Sequence, residues 1–209
     1  MTGNAGMIKR IAIDVGYVDV KALSGGGERV LFPSVIAPDE EDLALDDALG
    51  TKRSRQRISI QRPGNPQQTW LFGQAALVAP GATRPWAEEA SSREGYDVLV
   101  MAAVASLIRT TAVETVDVDL VLGLPLGVYG AQREKLREAL RGQEAYVAVN
   151  ERVPVHLRFS SVLVHTAGDR RLLRRGAQSG RQHALRASAA SDWSNRRRWA
   201  DDGLLRHAA

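Results

Sequence analysis

The sequence predicts an α/β domain built on a mixed sheet, and three observations carry that expectation. Short strand-like runs crowd the first 36 residues. A stretch around residues 98–108 is apolar on nearly every helical face, and a near-continuous apolar run follows at Val116–Leu122. A helix with no polar face has to be buried, and a strand without alternation belongs at the centre of a sheet covered on both sides. The order of elements is three strands, an insertion, then helix, strand, helix and three strands, which is an α/β pattern.

Taken in order, residues 1–7 form a flexible N-terminus, and "MTGNAGMIKR" has no apolar segment of the secretory kind. Ile11, Ile13 and Val15 alternate with other residues, as do Val18, Val20 and Ala22. Ser24-Gly25-Gly26-Gly27-Glu28 reads as a turn, Arg29–Phe32 as a third strand, and Pro33 and Pro38 punctuate its exit. Residues 39–57, acidic "DEEDLALDD" then basic "KRSRQR", show no period and read as a surface insertion. Ile58–Gln61 and Thr69–Phe72 are short strands around "RPGNPQQ", and Gln74–Val78 opens a short helix. Trp70 and Trp86 are expected in or near the core.

A loop over 80–94 leads to a buried helix, Gly95–Ala112, and then to the Val116–Leu122 strand. "GLPLGVYG" reads as a Gly/Pro loop. Ala131–Arg141 is a helix stopped by Gly142. "AYVAVN" and "VPVHLRF" form a hairpin about Asn150-Glu151, with His156 on its solvent side, and "SVLV" is a last strand.

The chain has 209 residues, 44% of them hydrophobic, which suffices for one large domain or two small ones. It has no Cys, so disulfides, thiolate metal sites and cysteine nucleophiles are excluded. The longest apolar run, Val98–Ile108, is far too short to cross a bilayer, so the expectation is a cytoplasmic protein without a membrane partner.

The net charge of +4 hints at nucleic acid, but its distribution does not support a basic body. Residues 1–165 hold 18 Lys and Arg against 20 Asp and Glu, whereas 166–209 hold 10 Arg and 4 acids. From His165 to Ala209 there is no Val, Ile, Phe, Tyr or Lys. Such a segment lacks the residues a sheet needs and is expected to be a disordered or out-of-frame tail over 165–209. His165 has no second ligand at metal spacing.

Chemistry concentrates in "IAIDVGYVDVKA". Asp14, closing one strand, projects a carboxylate past the turn, where it can hold Mg²⁺ through the ion's waters. Gly16 permits a tight turn, and the N–H groups of Tyr17 and Val18 can face an anion. Lys21 supplies a point charge for phosphate. The plainer interpretation is an ordinary hairpin with Asp14 in a turn and Lys21 in solvent. No GxxxxGK[ST] or GxGxxG stretch is present, which leaves P-loop and Rossmann folds without support.

In order, "IAIDVGYVDVKA", "LFPSVIAP", "TWLFGQAAL", the apolar helix, "DLVLGLPLGVYGAQREKLREAL" and the "VAVNERVPVHLRFSSVLV" hairpins resemble the actin-like plasmid-segregation proteins, the ParM and StbA type. The resemblance covers residues 8–164. It implies the first domain of an actin-like, ribonuclease H-like fold, with the second domain missing or degraded. It implies Asp14 at the Mg²⁺ water shell and Gly16, Tyr17, Val18 and Lys21 around the phosphates of ATP or GTP. It further implies a filament of self-associated copies, linked by a DNA-binding adaptor protein to a plasmid centromere.

This chain departs from the family pattern in three respects. Val18 stands where a small residue is usual. His165-Thr166-Ala167 stands where relatives carry Pro and then a Glu or Gln that positions water. The second phosphate loop and the Gly-rich adenosine motif are absent from the tail, so the family's ATPase or GTPase activity is not carried over. The alternative function is a non-enzymatic remnant or interaction module whose Arg-rich tail, with "NRRRW", binds nucleic acid.

Overall fold

The computed structural model describes residues 7–39, 56–85 and 93–167. The strands are β1 (Met7–Val15), β2 (Asp19–Ser24), β3 (Arg29–Pro33), β4 (Ile36–Pro38), β5 (Arg57–Gln61), β6 (Gln68–Phe72), β7 (Thr115–Leu124), β8 (Glu144–Val149) and β9 (Val155–Thr166). The helices are α1 (Arg93–Leu107) and α2 (Leu126–Leu140), and Ala76–Val78 is a single 3₁₀ turn. The N-terminal residues 1–6, most of the 39–57 insertion, Trp86, and the tail from residue 168 lie outside the described residues.

All nine strands join one sheet in the order β3-β2-β1-β7-β9-β8-β5-β6-β4. The β1–β7 and β7–β9 pairs are parallel and the rest antiparallel, so the sheet is mixed, as expected. Its two outermost strands, β3 and β4, are consecutive in the chain. A flat sheet with nine strands would hold them about 38 Å apart. The three Cα steps from Pro33 to Ile36 reach at most about 11 Å. The sheet must therefore curl until its edges meet. Phe32 of β3 and Phe72 of β6 close the seam edge to face, with ring centroids 5.0 Å apart.

Inside the curl runs α1, buried on nearly every side from Tyr96 to Leu107. This is why the sequence shows no polar stripe there. Ile11, Ile13, Val20, Ile58, Ile60, Leu120, Leu122, Val147 and Leu157 surround it in one continuous core, which Leu136 and Leu140 of α2 also join. The strand residues of this core all lie on one face of the sheet, by the alternation and register of the pairs. A smaller cluster, Val35, Ala37, Leu71 and Ala76, lies under the 3₁₀ turn.

Four expectations need correction. First, "GLPLGVYG" is largely helix. The Pro125 carbonyl accepts from the N–H groups of Val128 (3.2 Å) and Tyr129 (3.0 Å), so Pro125 starts α2. Its ring fixes φ and it has no N–H to lose, which suits the entrance of a helix. Second, α1 stops at Leu107. The Thr110 hydroxyl bonds the N–H and carbonyl of Ala112, at 3.2 and 2.6 Å, and turns the chain. Ile108 is still buried, so the apolar pattern runs past the helix end.

Third, "VPVHLRF" and "SVLV" are one strand, interrupted by a bulge at Ser160 where the register with β7 slips between Val118 and Asp119. It runs through His165 and Thr166, which pair with Gly123 and Leu124. Fourth, β7 is central but covered tightly on one side only. Val116, Val118, Leu120 and Leu122 are buried, while Asp117, Asp119 and Val121 are half-buried on the other face. His156 is also half-buried, stacked on Tyr146 at 4.5 Å.

Candidate functional site

The less covered face of the sheet carries the candidate site. Register places Lys21 opposite Asp14, Asp14 beside Gly123, and Gly123 beside His165. Leu31 lies beyond Lys21. These five residues form one cross-strand row. Asp14 Oδ1 lies only 3.4 Å from where a Cβ on Gly123 would sit, so the missing side chain there gives the carboxylate room. The Asp14 charge also reaches inward. It adds to burial, the larger cause, in pushing the Tyr96 hydroxyl pKa up.

Below this row the charges are matched. Arg158 grips Asp117 with Nε–Oδ1 and Nη2–Oδ2 contacts of 2.8 and 3.0 Å. Arg10 lies 3.5 Å from Asp119, which also accepts from the Ser161 hydroxyl at 2.9 Å. Among the described residues, neither Asp14 nor Lys21 has an ion-pair partner within 4 Å. Asp14 and Lys21 thus face each other across β1 and β2 with both charges open to a ligand.

The turn between β1 and β2 is held from one side. The Gly16 N–H donates to the Asp19 carbonyl at 3.0 Å. A Cβ at Gly16 would stand 2.9 Å from that same oxygen, so the turn admits only glycine without a backbone shift. Ser34, fully buried in the seam, donates its hydroxyl to the Gly16 carbonyl at 2.7 Å and its N–H to the Val18 carbonyl at 2.8 Å. Arg84 brings Nη1 to 3.3 Å from the Tyr17 carbonyl and 3.5 Å from that of Val18.

Peptide planarity converts these contacts into a direction. In a trans peptide the C=O and the next N–H point to opposite sides. With the carbonyls of Gly16 and Tyr17 turned toward Ser34 and Arg84, the N–H groups of Tyr17 and Val18 turn the other way. Val18 O is shared by Ser34 and Arg84, which places both clamps on one side of the loop. Among the described residues, the two N–H groups meet no acceptor. Two adjacent outward N–H groups beside a Lys make a concavity suited to an anion.

Asp14, Gly16, Tyr17, Val18 and Lys21 are thus gathered at one edge of the domain. The side chains of Tyr17 and Val18 are 66% and 61% exposed, so only their backbones belong to the concavity. Three neighbours escaped the sequence reading. Ser34 sits inside the quoted "LFPSVIAP" without an assigned role. Gly123 shows its role only once β1 and β7 are paired. Arg84 left one faint signal, as the only Lys or Arg between residues 63 and 92. Among the described residues, no group of three His, Cys, Asp or Glu side chains could enclose a metal.

A twisted mixed sheet curled on a buried helix, with an open turn between β1 and β2 at the end of its strands, is the arrangement of an actin-like N-terminal domain. The family model described as the actin-like proteins N-terminal domain matches residues 12–166, and the chain belongs to that family. Among solved structures, a 15-stranded ParM filament from Clostridium botulinum matches with a TM-score of 0.66 at 22% identity, over 78% of this chain and 48% of that one. Bacillus thuringiensis ParM with AMPPNP matches at 0.54 and 18%, over 74% and 44%. An archaeal actin homologue in complex with ADP matches at 0.53 and 18%, over 76% and 44%. Identities this low establish the fold alone, and the chain spans less than half the length of each of these structures. No curated protein sequence matches significantly. Among the described residues, no helix is long and apolar enough to cross a membrane.

Proposed function

We propose that this chain carries the nucleotide-binding half of an actin-like, filament-forming protein of the DNA-segregation type. The observation that carries the reading is the pair of outward N–H groups at Tyr17 and Val18, flanked by Lys21 and Asp14. The residues fit a phosphate group. Tyr17 N–H, Val18 N–H and Lys21 would hold its oxygens, and Gly16 lets the backbone approach. Asp14 would accept hydrogen bonds from the waters of Mg²⁺, an ion that retains water and takes few carboxylates. Such an ion supplies neutralisation of phosphate charge. These groups address phosphate and its cation, chemistry that ATP and GTP share, so the reading includes both.

The wider reading takes the actin-like domain from residue 8 to the end of β9 at Thr166, the stretch between Asp39 and Gln56 as a surface insertion, and the residues after Ala167 as a tail outside the family fold. It also assigns self-association into filaments, a DNA-bound adaptor as partner, and the cytoplasm as location. Nucleotide hydrolysis is not part of the proposal. The test is a titration of the full chain with fluorescent ATP and GTP analogues, with and without Mg²⁺. Binding is expected to strengthen with Mg²⁺ and to weaken roughly tenfold or more in Lys21→Ala, the loss of one charge-assisted contact. Equal affinity in wild type and Lys21→Ala, whatever the Mg²⁺, would show that the hairpin is structural only.

A further inference from the structure

We infer that Arg84 is a positioning residue for the phosphate concavity, acting through the loop backbone rather than on the ligand. The inference rests on the nucleotide reading above for its consequence, but on geometry for its content. Arg84 is exposed, and its Nη1 donates to the carbonyls of both Tyr17 and Val18, 67 and 66 residues away in sequence. The Tyr17 carbonyl belongs to the turn itself, where no helix or ladder bond orients it. Ser34 fixes the Gly16 and Val18 carbonyls, leaving the Tyr17 carbonyl to Arg84 alone among the described residues. That carbonyl shares its peptide plane with the Val18 N–H. A rotation of this one plane would swing the N–H away from the anion and put a carbonyl oxygen in its place.

The arm that carries Arg84 is itself fixed. Thr83 exchanges two backbone hydrogen bonds with Ile36, at 3.0 and 2.8 Å, just beyond the seam that holds Ser34. Both clamps therefore descend from one corner of the sheet. Arginine suits the task better than lysine, since the two N–H bonds of Nη1 are held in the plane of a rigid guanidinium and can each take one carbonyl, while an ammonium is a point charge on a flexible stem. On this account Arg84 adds positive potential at the back of the loop and selects the peptide orientation at its front.

The experiment uses the full chain labelled with ¹⁵N, in wild type, Arg84→Ala and Arg84→Lys. The amide signals of Gly16, Tyr17 and Val18 are followed first alone, then against Mg²⁺ with ATP. Arg84→Ala is expected to shift the Tyr17 and Val18 amides before any nucleotide is added, and to weaken binding roughly tenfold. Arg84→Lys is expected to recover part of both, and all three proteins to share one thermal midpoint. Unshifted amides and unchanged affinity in Arg84→Ala would overturn the inference while leaving the nucleotide reading standing. Shifted amides in a chain whose wild type binds no nucleotide would uphold the positioning role and overturn the nucleotide reading instead. A lowered midpoint in Arg84→Ala with wild-type affinity would count against the inference, as the mark of a structural contact.

Discussion

Replacing Ser34 by Ala removes one oxygen atom and strands the Gly16 carbonyl, which has no other hydrogen-bond donor among the described residues. Ser34 itself is fully buried, while the Gly16 it serves is half-buried. The variant is expected to lose about 1–2 kcal/mol of stability, read by urea unfolding, and to bind nucleotide more weakly. Unchanged stability would mean the hydroxyl is incidental to the turn. Asp97 gives a second residue-scale expectation. Its carboxylate lies 2.5 Å from Arg62 Nη2, yet burial, the largest influence, raises its pKa from 3.8 to about 6 against the pull of that cation. A raised acid is held more tightly by the folded chain. Its contribution to stability is therefore complete below about pH 4 and is lost as pH rises to about 6. Asp97→Asn should flatten that fall, whose slope is at most about 1.4 kcal/mol per pH unit. Parallel stability profiles for the two proteins between pH 3.5 and 7 would rule this out. Asp14 and Lys21 were legible in the sequence because a hairpin is local and alternation puts them on one face. Ser34 and Arg84 were not, because the contacts that define them span 18 and 66 or 67 residues.

Among the elements, the C-terminal end of α2 was read correctly from one local signal. Gly142, with φ +76°, ends α2 where expected, and the N–H it frees reaches the Phe159 carbonyl at 2.9 Å. A Cβ at Gly142 would meet nothing within 4 Å. Gly142→Ala therefore isolates the backbone cost of a left-handed conformation, about 1 kcal/mol, measurable as a lower urea midpoint with an unchanged m-value. No change would show that the helix end relaxes freely. The start of α2 was misread because Gly127, Gly130 and Pro125 each signal a loop in isolation. Two helical glycines cost about 1 kcal/mol each relative to alanine. Burial of Leu136 and Leu140 opposes that cost, a tertiary effect that no window of sequence displays. The bulge at Ser160 is similar. It depends on the neighbouring β7, whose Val118 carbonyl takes the Ser160 hydroxyl at 3.3 Å.

At the scale of the molecule, the fold class was legible from the order of elements, while the curl was not, since it exists only once β3 and β4 are known to be opposite edges. The same pairing map defines where the domain can be cut. His165 and Thr166 still pair with Gly123 and Leu124, and the Ala167 N–H still reaches the Leu124 carbonyl at 2.5 Å. A chain ending at Ala167 is expected to keep the thermal midpoint of the full chain, since the tail has little apolar area to offset the entropy of ordering it. A chain ending at Val164 is expected to melt at least about 3 °C lower, the shift that roughly 1 kcal/mol produces at this size. Loss of stability in the longer of the two would show that the tail packs.

The parallel pairing of β1 with β7 has a consequence during synthesis. Met7 lies opposite Val116, so β1 leaves the ribosome with one edge bare until more than a hundred further residues follow. At ordinary elongation rates that interval is roughly 5–20 s. The β1–β2 hairpin closes within about 10 μs, so the turn at Gly16 is shaped long before β7 or Arg84 can reach it. For those seconds each nascent chain presents an unpaired strand. Neighbouring ribosomes on one message each carry that bare strand, so the period of synthesis, rather than the finished fold, is when its edge is open to other chains.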